Sequence, residues 1–247
     1  MKVYFFDDGQ TGFYSAVFCA YEQKRENDAY LTSLTSFQCA LGDESERVET
    51  DETKAARVQK TVRLYGGTKA DKDIETAFRS DCAEKAQIAF LYLKRLLREK
   101  RDISRSFSFD EVMPFNTLVD KVWLERHRFT GFLRFEETKN GLLYAEYAPD
   151  NDITDLLAPH FIKRINLPFV ICDVKRSRFA AWNGKELALF DADIPTNVLR
   201  SQFEKNVNDL WRGYFKATNV KERPHPKQQD GYLPRRYRKF MSEFDED

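Results

Sequence analysis

The sequence predicts an α+β fold. A helical amino-terminal half packs with an antiparallel hairpin-and-meander sheet in the order β-β-α-β-β-β, followed by a long carboxy-terminal helix. Three observations carry that expectation. Apolar residues recur at the helical spacing through most of the first 123 positions. The spacing drops to two after Phe129. Gly-containing turn signals then separate short apolar runs. At 247 residues and 42% hydrophobic content, the chain is long enough for one large domain. The expectation is a single α+β domain over 1–247, with a soft boundary near residue 105 and a basic, irregular segment over 219–247.

The elements follow in order. Lys2 to Phe6 is rich in Val, Tyr and Phe and predicts a short strand. Asp7-Asp8-Gly9 turns the chain, and Thr11 is placed to cap a helix with Phe13, Val17, Ala20 and Tyr21 on its apolar face. Between Asp43 and Glu52 six acids stand against Arg47 alone, a pattern for a solvated loop and a helix N-terminus. A helix follows over Thr53–Leu64, with Ala55, Val58, Val62 and Leu64 inward and Tyr65-Gly66-Gly67 as its stop. Asp71 to Glu99 is helical with one break near Ser80. Ser108 or Asp110 caps the next helix, whose apolar positions run from Val112 to Trp123 with Pro114 in the first turns.

Strands are then expected at Phe129–Phe135 and Leu142–Ala148 around Thr138-Lys139-Asn140-Gly141. Pro149-Asp150-Asn151-Asp152 opens a helix to about Ile165. Phe169–Val174, Arg178–Trp182 and Glu186–Phe190 complete the sheet, and Asn197 to about Thr218 is the last helix.

Composition excludes several classes. Lys plus Arg and Asp plus Glu are both 40, so the chain is not a globally basic nucleic-acid binder, although a local basic face remains open. No run of 18 apolar residues exists to span a membrane. The acidic turn at Asp7 comes too early for a secretory signal, so a cytoplasmic location is expected. Cys19, Cys39, Cys82 and Cys172 form no C-x-x-C pair and read as buried free thiols of a reducing compartment. His127, His160 and His225 form no H-E-x-x-H helix, and phosphate-binding glycine loops and a G-x-S-x-G elbow are absent. No metal or cofactor is expected, and no reaction is specified by the residues themselves.

Four segments are able to carry chemistry. In Glu125-Arg126-His127-Arg128-Phe129-Thr130-Gly131-Phe132-Leu133-Arg134-Phe135, strand alternation puts Arg128, Phe132 and Arg134 on one face. Guanidinium groups fork phosphate and a ring stacks on a base, while a salt-bridged sheet surface is the structural alternative. His160 and Arg164 share a helix face four residues apart, either to hold an anion or with His160 packed in the core. Asp173-Val174-Lys175-Arg176-Ser177-Arg178 is a phosphate-facing loop or an ordinary exposed turn. Between Leu210 and Phe240 nine bases stand against two acids, leaving seven net positive charges among Trp211, Tyr214, Phe215, Tyr232 and Tyr237. Phosphate neutralisation and base stacking use such a segment; the alternative is a tail paired with the acidic half.

The same segments carry a family resemblance. They are Tyr4–Tyr21, Lys54-Ala55-x-Arg57-Val58, the Glu125–Phe135 stretch, Tyr144-Ala145, Pro149-Asp150 and Leu156-Leu157-Ala158-x-His160-Phe161 with Arg164. Asp173-x-Lys175-Arg176, Leu210-Trp211-x-x-Tyr214-Phe215, Lys221-Glu222-Arg223 and Leu233-Pro234-Arg235-Arg236-Tyr237 continue it to the tail. Together they resemble, nearly end to end and in order, a bacterial family described as DNA-metabolism or DNA-repair proteins. Its genes typically lie beside one for a radical-SAM protein, and some relatives are fused to a uracil-DNA-glycosylase-like domain.

The resemblance implies a protein that binds damaged or single-stranded DNA and acts with the radical-SAM partner, without implying a known reaction. Phosphate contacts are expected from Arg128, Arg134, Arg164, Arg176, Arg212, Arg235, Arg236 and Arg238, with stacking by Phe132 and Tyr237. One rival is a nuclease or glycosylase-like enzyme with Glu125, His127, His160 and Asp173 in one cleft. Another is an interaction scaffold for the radical-SAM partner.

Overall fold

A computed structural model describes residues 1–139, 141–194, 230–241 and 244. It is a mixed α+β structure that divides into two compact units, Met1–Leu124 and Glu125–Asp247.

The first unit opens with β1 (Lys2–Phe5), α1 (Gln10–Glu22), β2 (Ala29–Thr32) and β3 (Glu44–Arg47). The three strands form a parallel sheet in the order β2-β1-β3, with Lys2 opposite both Ala29 and Glu44. The amino-terminal half, expected to be helical apart from the Lys2–Phe6 strand, therefore carries its own sheet. β3 was expected as an acidic loop because Glu44-Ser45-Glu46-Arg47 has no apolar alternation. It is an edge strand, where charged side chains are tolerated and backbone pairing to β1 decides the conformation.

α1 begins at Gly9 without a side-chain cap, so Thr11 lies inside the first turn. α2 (Glu52–Ala77) is capped by Asp51, whose carboxylate accepts from the amides of Thr53 and Lys54. The Gly pair does not stop this helix but kinks it. Gly67 takes φ 71°, and the chain resumes helical geometry as far as Ala77. Leu64, expected inside, is 72% exposed, because Val58 and Val62 set the inward face and a residue two positions on lies on the far side of the helix.

Asp71, just past the kink, is buried. It accepts hydrogen bonds from Gln10 and Tyr14 of α1 and from Gln59 and Arg63 of the first half of α2. That carboxylate ties three helical segments together. Beside it, burial drives the Tyr14 hydroxyl far above its usual pKa, reinforced by the Asp71 charge. The expected break near Ser80 separates α2 from α3 (Lys85–Glu99). The core runs from Tyr4 and Phe13 through Val62, Ile74, Phe90 and Leu96 to Phe115, with Tyr92 stacked on Phe115 at 4.0 Å.

α4 (Val112–Phe132) contains the division between the units. It extends through Arg128 and Phe132, which were expected on a strand. Glu125, Phe129 and Leu133 are all buried, and their spacing of four keeps one helical face inward where alternation had suggested a strand.

The second unit then contains β4 (Glu136–Glu137), β5 (Leu143–Tyr147), α5 (Thr154–Arg164), β6 (Phe169–Asp173), β7 (Arg178–Trp182) and β8 (Leu187–Asp191). The predicted β-β-α-β-β-β rhythm holds, but the first strand shrinks to two residues. The sheet, in the order β4-β5-β6-β7-β8, is also mixed rather than antiparallel, because α5 carries the chain back so that β6 runs parallel to β5. Positive φ at Gly141, Ser177 and Gly184 turns the antiparallel connections. A 3₁₀ helix spans Arg235–Phe240 inside the segment expected to be irregular. The helix expected over 197–218 lies outside the described residues. Of the cysteines, Cys19 and Cys172 are buried thiols and Cys82 is half-buried, whereas Cys39, expected to be buried, is exposed in the loop between β2 and β3.

Candidate functional site

The second unit is organised around the turn that follows β5. Glu125, on the inward face of α4, is 5% exposed and receives four hydrogen bonds. The backbone amides of Asp150 and Asn151 donate to it at 2.7 and 2.8 Å, and the Asn151 side-chain amide and the Tyr237 hydroxyl donate at 2.5 Å each. A buried carboxylate needs such compensation for the water it loses. The bonds also fix the Pro149–Asn151 backbone and clamp the 3₁₀ helix onto it.

Tyr237 is 3% exposed, its ring edge-on to Phe129 at 4.8 Å. Burial, and then the Glu125 carboxylate, push its hydroxyl well above the ordinary range, so it stays a donor. Arg236 lies over the Tyr237 ring at 4.7 Å and pairs with Asp150 at 2.6 Å.

The same turn is held from the sheet. Asp173, at the end of β6, is fully buried and accepts from the amides of Lys175 and Arg176 at 2.9 and 3.3 Å. The Arg176 guanidinium pairs with it at 3.0 Å and also donates to the carbonyls of Pro149 and Asp150. Burial raises the Asp173 pKa despite that pairing. Arg178 bridges Asp152 and Asp191. Thus Glu125, Pro149-Asp150, Asp173, Arg176, Arg236 and Tyr237, scattered through the sequence motifs, meet in one network. The cations within it are neutralised, and Glu125 has no lone-pair position left to act as a base.

A second cluster is different in kind. Arg126, one residue along α4, reaches α5 and donates to the Leu156 carbonyl at 3.2 Å. On α5, His160 has its Nε2 atom buried without a hydrogen-bond partner. Burial first, then the positive charges of Arg126 and Arg164, lower its pKa. Arg164 and Lys163 are exposed in the last turn of α5, where they complement the helix dipole; among the described residues neither forms an ion pair. Two cations, Arg126 and Arg164, therefore act on His160, with no carboxylate among the described residues acting on it.

The other predicted residues are dispersed. His127 is exposed on α4 and its carbonyl accepts from Thr130. Arg128 reaches the Gly231 carbonyl at 3.4 Å, and Arg134 folds back on the Gly131 carbonyl at 2.7 Å. Phe132 packs edge-on to Phe129. Arg235 and Arg238 both pair with Asp230. Arg212 lies outside the described residues. Arg126 and Asn151 were missed by the sequence reading, although both sit inside quoted motifs beside residues that were named. Among the described residues no group of three His, Cys, Asp or Glu side chains stands close enough to hold a metal ion. No described helix is long and apolar enough to cross a membrane.

Residues 83–243 match the family described as Domain of unknown function (DUF4130). The chain belongs to this family. The match takes in both the Glu125–Tyr237 network and the Arg126–His160–Arg164 cluster of this DUF4130 protein, and it begins within the first unit, just before α3. No curated protein matches the chain.

Proposed function

We propose that the protein is a DNA-metabolism or DNA-repair factor. In this reading its second unit binds damaged or single-stranded DNA, and it acts together with a radical-SAM enzyme. One observation carries the reading: Arg126 and Arg164 act on His160 from α4 and α5, without a neutralising carboxylate among the described residues acting on the histidine. Uncompensated basic groups at a surface favour a phosphate backbone. The network behind them gives rigidity, since Glu125 and Asp173 anchor the adjoining turn from α4 and from the sheet. The family resemblance supports DNA as the ligand and the radical-SAM protein as the partner.

An enzymatic reading through Glu125, His127, His160 and Asp173 has less support. Both carboxylates are committed to hydrogen-bond donors, and His127 faces outward.

The test is fluorescence anisotropy with a labelled single-stranded oligonucleotide across a salt series, with and without the partner. Affinity is expected to fall steeply with salt. Arg126→Gln and Arg164→Gln are each expected to lower the log–log slope by roughly 0.7 to 1. Absence of binding at low salt, or unchanged slopes in both variants, overturns the reading.

A further inference from the structure

The first unit contains a cleft that the proposed DNA contacts do not use. It has a volume of about 390 Å³ and lies between the end of α1 and one face of α3; Tyr21, Glu26, Leu91, Lys94, Arg95 and Arg98 line it, among others. This volume is in the range of small-molecule sites.

Local backbone geometry places Glu26. After α1, Lys24 takes the left-handed conformation at φ 56°, the Lys24 amide donates to the Tyr21 carbonyl, and the Arg25 amide donates back to Ala20. This is a Schellman cap with lysine where glycine is usual. It folds the next residue, Glu26, back beside Tyr21. Burial, and then the Glu26 charge, push the Tyr21 hydroxyl up to about 12.

Glu26 Oε2 is buried and has no hydrogen-bond partner. Facing α3 supplies Lys94 and Arg98, four residues apart; among the described residues neither forms an ion pair, although Arg98 acts at longer range on Glu111, which also lines the cleft. Arg95 between them is already occupied by Glu111 at 3.0 Å. Among the described residues the cleft thus offers a buried acceptor oxygen without a donor and two cations, Lys94 and Arg98, outside any ion pair. Leu91 and Tyr21 add flat apolar surface.

We propose that this cleft is a guanine-nucleotide site, with Glu26 reading the base and Lys94 and Arg98 holding the phosphate. Guanine presents two adjacent N–H donors, N1 and N2, on one edge, and a carboxylate accepts both. Adenine and cytosine each place a ring-nitrogen lone pair beside their amino group, and thymine flanks its single N–H with two carbonyls. Each of those edges sets a lone pair against a carboxylate oxygen, which is unfavourable in a partly buried site. The proposal goes beyond the DNA reading, because it lies in the other unit and needs none of the α4–α5 cations.

The experiment is calorimetric titration of the whole protein with dGMP, dAMP, dCMP, dTMP and guanosine, followed by a single-stranded oligonucleotide with or without dG. dGMP is expected to bind at least tenfold more tightly than the other nucleotides. Glu26→Gln is expected to reduce its affinity by about 10- to 100-fold. Arg98→Ala is expected to weaken dGMP while leaving guanosine unchanged, which keeps the test open if the Glu26 variant misfolds. Binding of dGMP identifies a free nucleotide; binding only of the dG oligonucleotide, with the same loss in Glu26→Gln, identifies a nucleotide within a strand. Equal binding of dGMP and dAMP, binding of neither probe, or unaltered affinity in both variants overturns the proposal. Arg126→Gln and Arg164→Gln are expected to leave dGMP binding intact, so failure of one site is distinguishable from failure of the other.

Discussion

Tyr237→Phe removes one hydroxyl from the network of the second unit. The substitution keeps the ring against Phe129 and Phe132 and removes the hydroxyl whose short bond goes to Glu125 at 2.5 Å; its longer contacts, to Asp150 at 3.3 Å and from Arg236 at 3.2 Å, are weaker. A bond to a charged partner contributes about 1.5–3 kcal/mol. Glu125 retains three other donors, including the Asp150 amide on the same oxygen, so about 2 kcal/mol is the expected loss. At 1.36 kcal/mol per factor of ten, this corresponds to about a 30-fold change in the opening equilibrium of the 3₁₀ helix.

Hydrogen exchange reads that equilibrium at the Tyr237 and Met241 amides, which donate to the Pro234 and Arg238 carbonyls. Protection there should fall about 30-fold. Arg236→Ala provides the comparison. Its side chain is 57% exposed, and an exposed ion pair contributes about 0–1 kcal/mol, so protection should fall no more than about fivefold. Exchange changed less than threefold by Tyr237→Phe, or changed more by Arg236→Ala, would refute the assignment of the buried phenol as the clamp.

Other predictions concern both units. Asp71→Asn keeps one acceptor oxygen but removes the charge and sets an amide donor against the Gln59 and Arg63 donors, and should cost about 2 kcal/mol in urea unfolding of the first unit, with the slope unchanged. Gly67→Ala places a side chain at φ 71° and should cost about 1–2 kcal/mol by the same assay; an unchanged midpoint would mean that α2 runs straight. The lowered His160 pKa means that the fold prefers the neutral ring. Its stabilising contribution is present above about pH 6.5 and is lost as pH falls through the lowered value, so wild type should lose stability on acidification relative to His160→Gln. Parallel pH profiles would contradict that placement.

Much of the second unit was legible because its signals are local. Turn residues at Gly141 and Gly184 and two-residue alternation located β5, β7 and β8 to within a residue or so. The α4 terminus was not legible, because Phe129, Gly131, Leu133 and Phe135 satisfy a strand period while Glu125, Phe129 and Leu133 satisfy a helical one; burial against Tyr147 and Tyr237 favoured the helix. β3 was illegible for the opposite reason, since its four polar residues carry no apolar pattern and only pairing with β1 makes them a strand. The candidate site was partly legible: His160 and Arg164 are joined by helical spacing, whereas Arg126 joins them through a contact between helices that spacing cannot express.

The amino-acid order alone determined the mixed fold class, the strand–strand–helix–strand–strand–strand succession and the concentration of positive charge toward the carboxyl end. Those properties depend on neighbours a few positions apart. Tertiary structure decided which charges remain free. Arg176, Arg235, Arg236 and Arg238 find carboxylates, three of them within eight residues in the chain and Arg236 on the distant Asp150, while among the described residues no carboxylate acts on the histidine between Arg126 and Arg164. Electrostatic attraction acts through space over a few ångströms, so the fate of a cation depends on the folded distances and not on its place in a list of residues.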